Sequence, residues 1–339
     1  MKRESLYFVA PRDLELREEE IAAPGPGEVQ VRTRFSAISA GTELLLFRGE
    51  APEDLAADDT LPALSGNLTY PLKYGYSAVG EIIELGDGVD GSWNGKRVFA
   101  FNPHENLFNA SLDDLQILPS DCSDEDAVFL AHAETALNLI LDANPRIGER
   151  AVVLGQGVLG LLCCAILGQH PLSELISFDP QEQRRIFSKD LGAHASYDQR
   201  DQISLDEART RLGAKGADFV IEISGNPQTL DIALDLVGKH GRVLIGSWYG
   251  TRRAELDLGS RFHRGRIKLI SSQVSSIDPS LSGRWDRERR FELAWKLLAE
   301  IGPSRFVSRR FPLSEAKRAY SLLDSQSEDD LAILFSYRE

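Results

Sequence analysis

The stretch from Ala151 to Pro180 constrains the fold of this chain more than any other. Ala151–Leu154 is a short apolar run of strand type. Gly155-x-Gly157-x-x-Gly160 follows at once, and Val158–Leu167 continues as an unbroken apolar helix pattern. A second strand, Leu175–Phe178, ends at Asp179. A strand before the glycines, a helix after them and an acid about 20 residues on make up the pattern that binds a dinucleotide. Each part has a physical reason. Gly155 allows the tight turn, Gly157 removes a side chain that would block a pyrophosphate, and Gly160 lets the helix pack close to the sheet. With Gln156, Val158 and Leu159 these residues form a helix N-terminus that offers unpaired N–H groups and partial positive charge to phosphates. Asp179 can accept hydrogen bonds from ribose hydroxyls and would repel a 2′-phosphate, so NAD(H) is expected over NADP(H). Arg184 and Arg185, close by in sequence, act in the opposite sense.

The chain has 339 residues, which suggests two domains, and its 42% hydrophobic content suits a substantial core. A formal charge of −14 argues against nucleic acid or an anionic membrane as the main partner. The longest apolar run, Val158–Gly168, is too short to span a bilayer. The start, Met1-Lys2-Arg3-Glu4, lacks the apolar core of a signal peptide, with charges returning at Arg12, Asp13 and Glu15. Cys122, Cys163 and Cys164 form neither a disulfide framework nor a zinc-ligand spacing. Cys163 and Cys164 read as small core residues. A cytoplasmic protein is expected.

Residues 1–120 read as β-rich. Pro24-Gly-Pro-Gly27 is a turn cluster, and Val29, Val31, Thr33, Phe35 and Ala37 alternate with polar partners as a half-buried strand does. Gly75–Leu85 and Arg97–Phe101 are further strand runs, and residues 50–70 read as an exposed acidic loop with a short helix.

A β-rich module, then a dinucleotide unit, then a return segment resembles the medium-chain dehydrogenase/reductase superfamily. The resemblance runs along nearly the whole chain. Pro24-Gly-Pro-Gly-Glu28-Val29 is similar to that family's first turn and strand, and Phe306–Phe335 to its closing strand–helix–strand. Ser36-Ala-Ile-Ser-Ala-Gly-Thr-Glu43 and Tyr74-Gly-Tyr-Ser-Ala-Val-Gly-Glu81 stand where zinc-dependent members carry Gly-x-Cys-Gly-Thr-Asp and Gly-His-Glu-x-x-Gly. The Cys ligand falls on Ser39, the His ligand on Tyr76 and the adjacent Glu on Ser77. Asn102–Ala110 lacks the cysteines of the structural zinc lobe. Zinc sites use about three Cys, His or carboxylate ligands, so a zinc-free member is expected. Ile38–Glu43, Ser271–Ser276, and Arg284-Trp285 followed by Arg289-Arg290 resemble the branch that contains bacteriochlorophyllide hydroxyethyl dehydrogenases.

The resemblance implies an α/β fold with a Rossmann doubly wound parallel sheet domain and a GroES-like β-rich catalytic domain. The GroES-like part is expected over 1–125, the Rossmann domain over 126–275, and a return segment over 276–339. An active site between the two domains and a homodimer paired through the Rossmann sheet edge are implied as well. Further cofactor contacts are expected from Ser224 and Gly225, from Gly246, Ser247 and Trp248, and, near the nicotinamide, from Thr135, Ser272 and Gln273. Both strand-exit loops also meet the rule that ligands bind at the carboxyl ends of parallel strands.

With nicotinamide carrying the hydride, the protein must position it and manage one proton. Tyr76, at a zinc-ligand position, is one candidate donor to the substrate oxygen; Ser39 is a second, with Glu43 orienting either. His132, in Ala131-His-Ala-Glu-Thr-Ala136, has the right chemistry for proton transfer near neutral pH. His104 is a further candidate. Ser280–Arg290 is basic in an acidic protein. It reads either as a solvated helix face or as a place where Arg284 or Trp285 meets a flat or anionic small-molecule substrate. The expected activity is interconversion of a secondary alcohol and a ketone. Reduction of an enone or quinone is the rival, and a dinucleotide-binding protein without catalysis is a third reading.

Overall fold

The computed structural model describes residues 1–57, 61–325 and 330–337. The chain divides into two compact units, Met1–Ala131 with Leu298–Glu339, and His132–Leu297. Part of the acidic stretch expected over 50–70 falls on residues 58–60, outside the described residues; a single 3₁₀ turn spans Pro62–Leu64.

The first unit is built on one long strand, Glu28–Ala37. It pairs antiparallel with Ala78–Leu85 along its length, with Leu107–Ser111 over its first half, and with Ala332–Ser336 at its end. Two register shifts against Ala78–Leu85 bend it, which lets one strand serve three neighbours. Arg97–Ala100 and Leu115–Ile117 extend the sheet on one side, and Val307–Phe311, parallel to Ala332–Ser336, on the other. The alternation read in the sequence buries Val29 and Val31 against Ile82, Val98, Phe108 and Leu115. A hairpin of Lys2–Ala10 and Asp13–Glu20 forms a second sheet with Leu72–Lys73. The helix Ala40–Arg48 starts directly after the long strand and ends at Gly49, whose φ of 75° is the left-handed C-cap conformation. The closing strand–helix–strand comprises Val307–Phe311, Ala316–Asp324 and Ala332–Ser336.

The second unit carries a six-stranded sheet, every pairing parallel. From Arg150–Leu154 the chain steps outward to Glu174–Phe178 and Ala195–Tyr197. It then returns to the other side of Arg150–Leu154 and steps outward through Ala217–Glu222, Val237–Ile245 and Lys268–Ser271. This is the doubly wound Rossmann order, and the direction reverses between Arg150–Leu154 and Ala217–Glu222. Three inner strands, Arg150–Leu154, Glu174–Phe178 and Ala217–Glu222, are largely apolar because a parallel sheet is covered on both faces; Val152, Leu154, Ile176, Phe178 and Val220 are in the core. Among the described residues no helix is long and apolar enough to cross a membrane.

Candidate active site

The six strand exits of the second unit are stitched together by five backbone hydrogen bonds. Gly155 N–H donates to Phe178 O at 2.8 Å, Asp179 N–H to Tyr197 O at 3.1 Å and Ile223 N–H to Leu154 O at 2.9 Å. Gly246 N–H donates to Glu222 O and Ser272 N–H to Ile245 O, both at 3.0 Å. The expected cofactor residues Gly155, Asp179, Ser224, Gly246 and Ser272 therefore lie in one row along the carboxyl edge of the sheet. Ligands bind along that edge in such sheets.

At the reversal point the glycines differ from one another in a telling way. Gly155 has φ +96° and lies against the next exit loop, where a Cβ would come within 2.5 Å of Ser224 Cα. A Cβ on Gly160 would meet Gly155 O at 2.0 Å, so the helix Val158–Gly168 is pressed onto the turn. A Cβ on Gly157 would meet nothing within 4 Å. Its missing side chain thus leaves open space over the helix N-terminus, which fits a pyrophosphate. Leu161 makes the first bond of that helix, to Gly157 O at 3.0 Å. The N–H groups of Val158, Leu159 and Gly160 come before it, where helices carry orphan donors.

Asp179 is only 3% exposed. One carboxylate oxygen accepts from Gln156 N–H at 2.8 Å and the other from Gln181 N–H at 2.9 Å. These two bonds fix the carboxylate beside the glycine turn and leave each oxygen a second lone pair. Arg185 donates to the carbonyls of Asp179 and Pro180, both at 2.9 Å, while Arg184 sits half-buried on the helix Glu182–Asp190. Gln156 turns its side chain inward, to Val153 O, Gly155 O and Cys164 Sγ, so only its backbone borders the turn. Burial pushes the Cys163 thiol well up and the Cys164 thiol up to about 12. Across the reversal point, buried Glu222 accepts from Ser224 N–H, Thr229 Oγ1 and Tyr249 OH. Burial first, and Glu222 second, raise the Tyr249 phenol. Ser247 Oγ accepts from Gly225 N–H at 2.9 Å, and Trp248 beside it is half-buried.

His132 and Thr135, three apart on the helix Leu130–Ala143, are both half-buried. Arg284 is exposed; Trp285 is half-buried, with the Arg289 guanidinium 4.3 Å from its ring centroid. Gln273 folds its amide back onto Ser275.

The first unit brings Ser39, Glu43 and Tyr76 together. Ser39 is the N-cap of Ala40–Arg48, yet its hydroxyl caps nothing; it accepts from Tyr76 OH, which also reaches Thr42 Oγ1 at 3.2 Å. Glu43 reaches back to Ser39 N–H at 2.7 Å and closes the helix start instead. Its other oxygen accepts from Tyr320 OH and pairs with His104 Nε2 at 2.9 Å. His104 Nδ1 pairs with Ser36 Oγ at 2.7 Å, and Ser36 with Tyr337 OH at 2.9 Å. Burial, with Glu43 next, raises the Tyr320 phenol. Gly75 has φ +125°, and a Cβ there would meet the His104 ring at 2.9 Å, so the glycine makes room for the imidazole. His104, a further candidate in the sequence, meets partners 61 and 68 positions away in the chain.

The zinc-binding dehydrogenase family matches residues 158–298. D-guloside 3-dehydrogenase of Escherichia coli K12 is 28% identical over 305 residues, covering 86% of this chain and 87% of its own. The 2-desacetyl-2-hydroxyethyl bacteriochlorophyllide A dehydrogenase of Cereibacter sphaeroides is 23% identical, covering 100% of this chain and 99% of its own. Along nearly its whole length the chain is similar to the medium-chain dehydrogenase/reductases. The crystal structure of 2R,3R-butanediol dehydrogenase from Bacillus subtilis has the same fold, with a TM-score of 0.80, 19% identity, and 98% and 99% of the two chains covered. The chain is therefore an alcohol-dehydrogenase-like oxidoreductase with a GroES-like unit and a Rossmann unit. The donors at the two family zinc positions do not fit the metal: Ser39 and Tyr76 are hydroxyls bonded to each other, and both His104 nitrogens are engaged.

Proposed function

We propose that this dehydrogenase works without zinc and uses NAD(H) to interconvert a secondary alcohol and a ketone. The observation that carries the reading is the reversal point of the sheet. Open space over Gly157 suits a pyrophosphate, and the buried Asp179 carboxylate beside it suits ribose hydroxyls better than a 2′-phosphate. The glycine turn and the exit loops at Ser224–Gly225, Gly246–Trp248 and Ser272–Gln273 hold the cofactor. When bound, nicotinamide supplies the hydride acceptor or donor.

The chain's own residues bind, orient and handle one proton. Tyr76 is the hydrogen-bond donor to the substrate oxygen, its phenol steered by Ser39 and Thr42. Glu43 acts on this pair through Ser39 N–H. His132 is the second site for the proton, and Arg284 with Trp285 receives a flat or anionic group of the substrate. The edge strand Lys268–Ser271, with Lys268 and Ser271 exposed, supports a dimer through the sheet edge. A small-molecule substrate, rather than nucleic acid, accords with the acidic composition, and a cytoplasmic location is part of the proposal.

The test is turnover of secondary alcohols with NAD⁺ by protein stripped with a chelator and checked by elemental analysis. Activity that survives stripping supports the reading. Activity that disappears on stripping and returns with zinc refutes the zinc-free mechanism. Reduction of enones but no alcohol oxidation makes the chain a double-bond reductase instead.

A further inference from the structure

Arg290 is the one residue of the basic stretch Ser280–Arg290 that is deeply buried, at 3% exposure. Its guanidinium forks between two residues of the helix Leu130–Ala143. Nε and Nη2 donate to Glu134 Oε1 at 3.1 and 2.6 Å, and Nη1 donates to Asn138 Oδ1 at 2.7 Å. The network continues. Asn138 Nδ2 donates to Asp142 Oδ2 at 3.1 Å and to Gln273 O at 3.3 Å, and Ser272 Oγ donates to Asp142 Oδ2 at 2.5 Å. Burial raises the Glu134 carboxyl against the pull of Arg290, which marks the cost of keeping this network dry.

We propose that Arg290 is a positioning residue for the nicotinamide half of the dinucleotide site. The inference rests on the dinucleotide reading above. In a doubly wound sheet the halves on either side of the reversal point each take one nucleotide. Asp179 ends a strand of the adenosine half. Ser272 and Gln273 directly follow Lys268–Ser271, the outermost strand of the other half. Arg290 holds Asn138, and Asn138 with Asp142 holds this exit loop by the Ser272 hydroxyl and the Gln273 carbonyl. A salt bridge is a poor choice for stability in a core, so its value here is in fixing one loop geometry.

The experiment compares NADH with ADP-ribose, which lacks the nicotinamide, in fluorescence and calorimetric titrations. Arg290→Met leaves buried Glu134 with only the longer contact to Arg287, at 3.9 Å, and can unfold the unit, so the decisive variant is Glu134→Leu/Arg290→Met, which removes both charges of the close pair. We expect the double variant to bind NADH at least tenfold more weakly and ADP-ribose as the wild type does. NADH affinity equal to the wild type's overturns the inference and leaves the dinucleotide reading intact. An equal loss for both ligands makes the network a general scaffold and also overturns it. A wild type that binds neither ligand refutes the dinucleotide reading and this inference together.

Discussion

Gly157 and Gly160 are three residues apart in one motif, and the structure assigns them opposite sensitivities. A Cβ on Gly160 meets the backbone oxygen of Gly155 at 2.0 Å, and neither the turn nor the helix can yield cheaply. Overpacking of this kind costs up to about 3 kcal/mol. Alanine regains about 1 kcal/mol of helix propensity over glycine. The net loss for Gly160→Ala is then about 2 kcal/mol, which lowers the melting temperature of a unit this size by about 4–8 °C. Gly157 faces open space and is the N-cap of the same helix. Serine is at least as good an N-cap as glycine, so Gly157→Ser leaves the free protein as stable as before or raises it by a few tenths of a kcal/mol. Its side chain instead enters the space assigned to the pyrophosphate. We expect NADH affinity to fall at least tenfold, about 1.4 kcal/mol. Urea denaturation and NADH fluorescence titration measure the two effects separately. The reasoning is refuted if Gly157→Ser binds NADH as tightly as the wild type, or if Gly160→Ala is as stable as it.

Tyr76→Phe removes the donor to Ser39 and, on the proposed mechanism, to the substrate oxygen; kcat should fall by about 10²-fold or more with NADH affinity unchanged, as steady-state kinetics and titration would show. Burial alone would raise the Asp324 carboxyl, but hydrogen bonds from Arg48 and Arg12 hold it below its ordinary value. A folded pKa below the unfolded value of about 3.9 stabilises the fold above that pH and is lost as pH falls through the folded value. Asp324→Asn should therefore lower the urea midpoint at pH 7 and flatten its decline below about pH 4. Cys163 and Cys164 are fully buried with raised thiols, so iodoacetamide at pH 8 should label neither until the second unit unfolds, by mass spectrometry of the quenched protein.

The parts of the fold legible in the sequence are those written within a few residues of one another. The strand, glycine turn, helix and second strand fall at Arg150–Leu154, Val158–Gly168 and Glu174–Phe178, within a residue of their expected bounds. Alternation over Val29–Ala37 likewise marks a real strand, but Gln30 and Ser36 on the polar face are buried as well, because other parts of the unit cover that face. The helix Ala40–Arg48 is not marked by any periodic pattern in the sequence, because Leu44 to Phe47 are all buried and no polar face remains to reveal it. The strand Val237–Ile245 runs through His240 at φ +63°, a conformation that strand propensity does not anticipate.

The polar networks are the least legible part. Arg290 meets Glu134 from 156 positions away, and His104 meets Glu43 from 61 positions away. Read along the chain, Arg290 is one more cation in a basic run. Only the packing of two helices distinguishes it from Arg289, which lies out on Trp285. Gln156 shows the converse. Its place in the glycine motif points to the cofactor, yet its amide serves the turn's own carbonyls, because a sharp turn leaves buried acceptors that need a donor.

The most direct test of the account is competitive titration of the purified protein with NADH and NADPH, followed by nicotinamide fluorescence. With Asp179 fixed by two backbone donors at the proposed ribose position, NADH should bind at least tenfold more tightly, a difference of about 1.4 kcal/mol or more. Tighter binding of NADPH would mean that Arg184 and Arg185 govern the site, and binding of neither would contradict the assignment of the glycine turn to a dinucleotide.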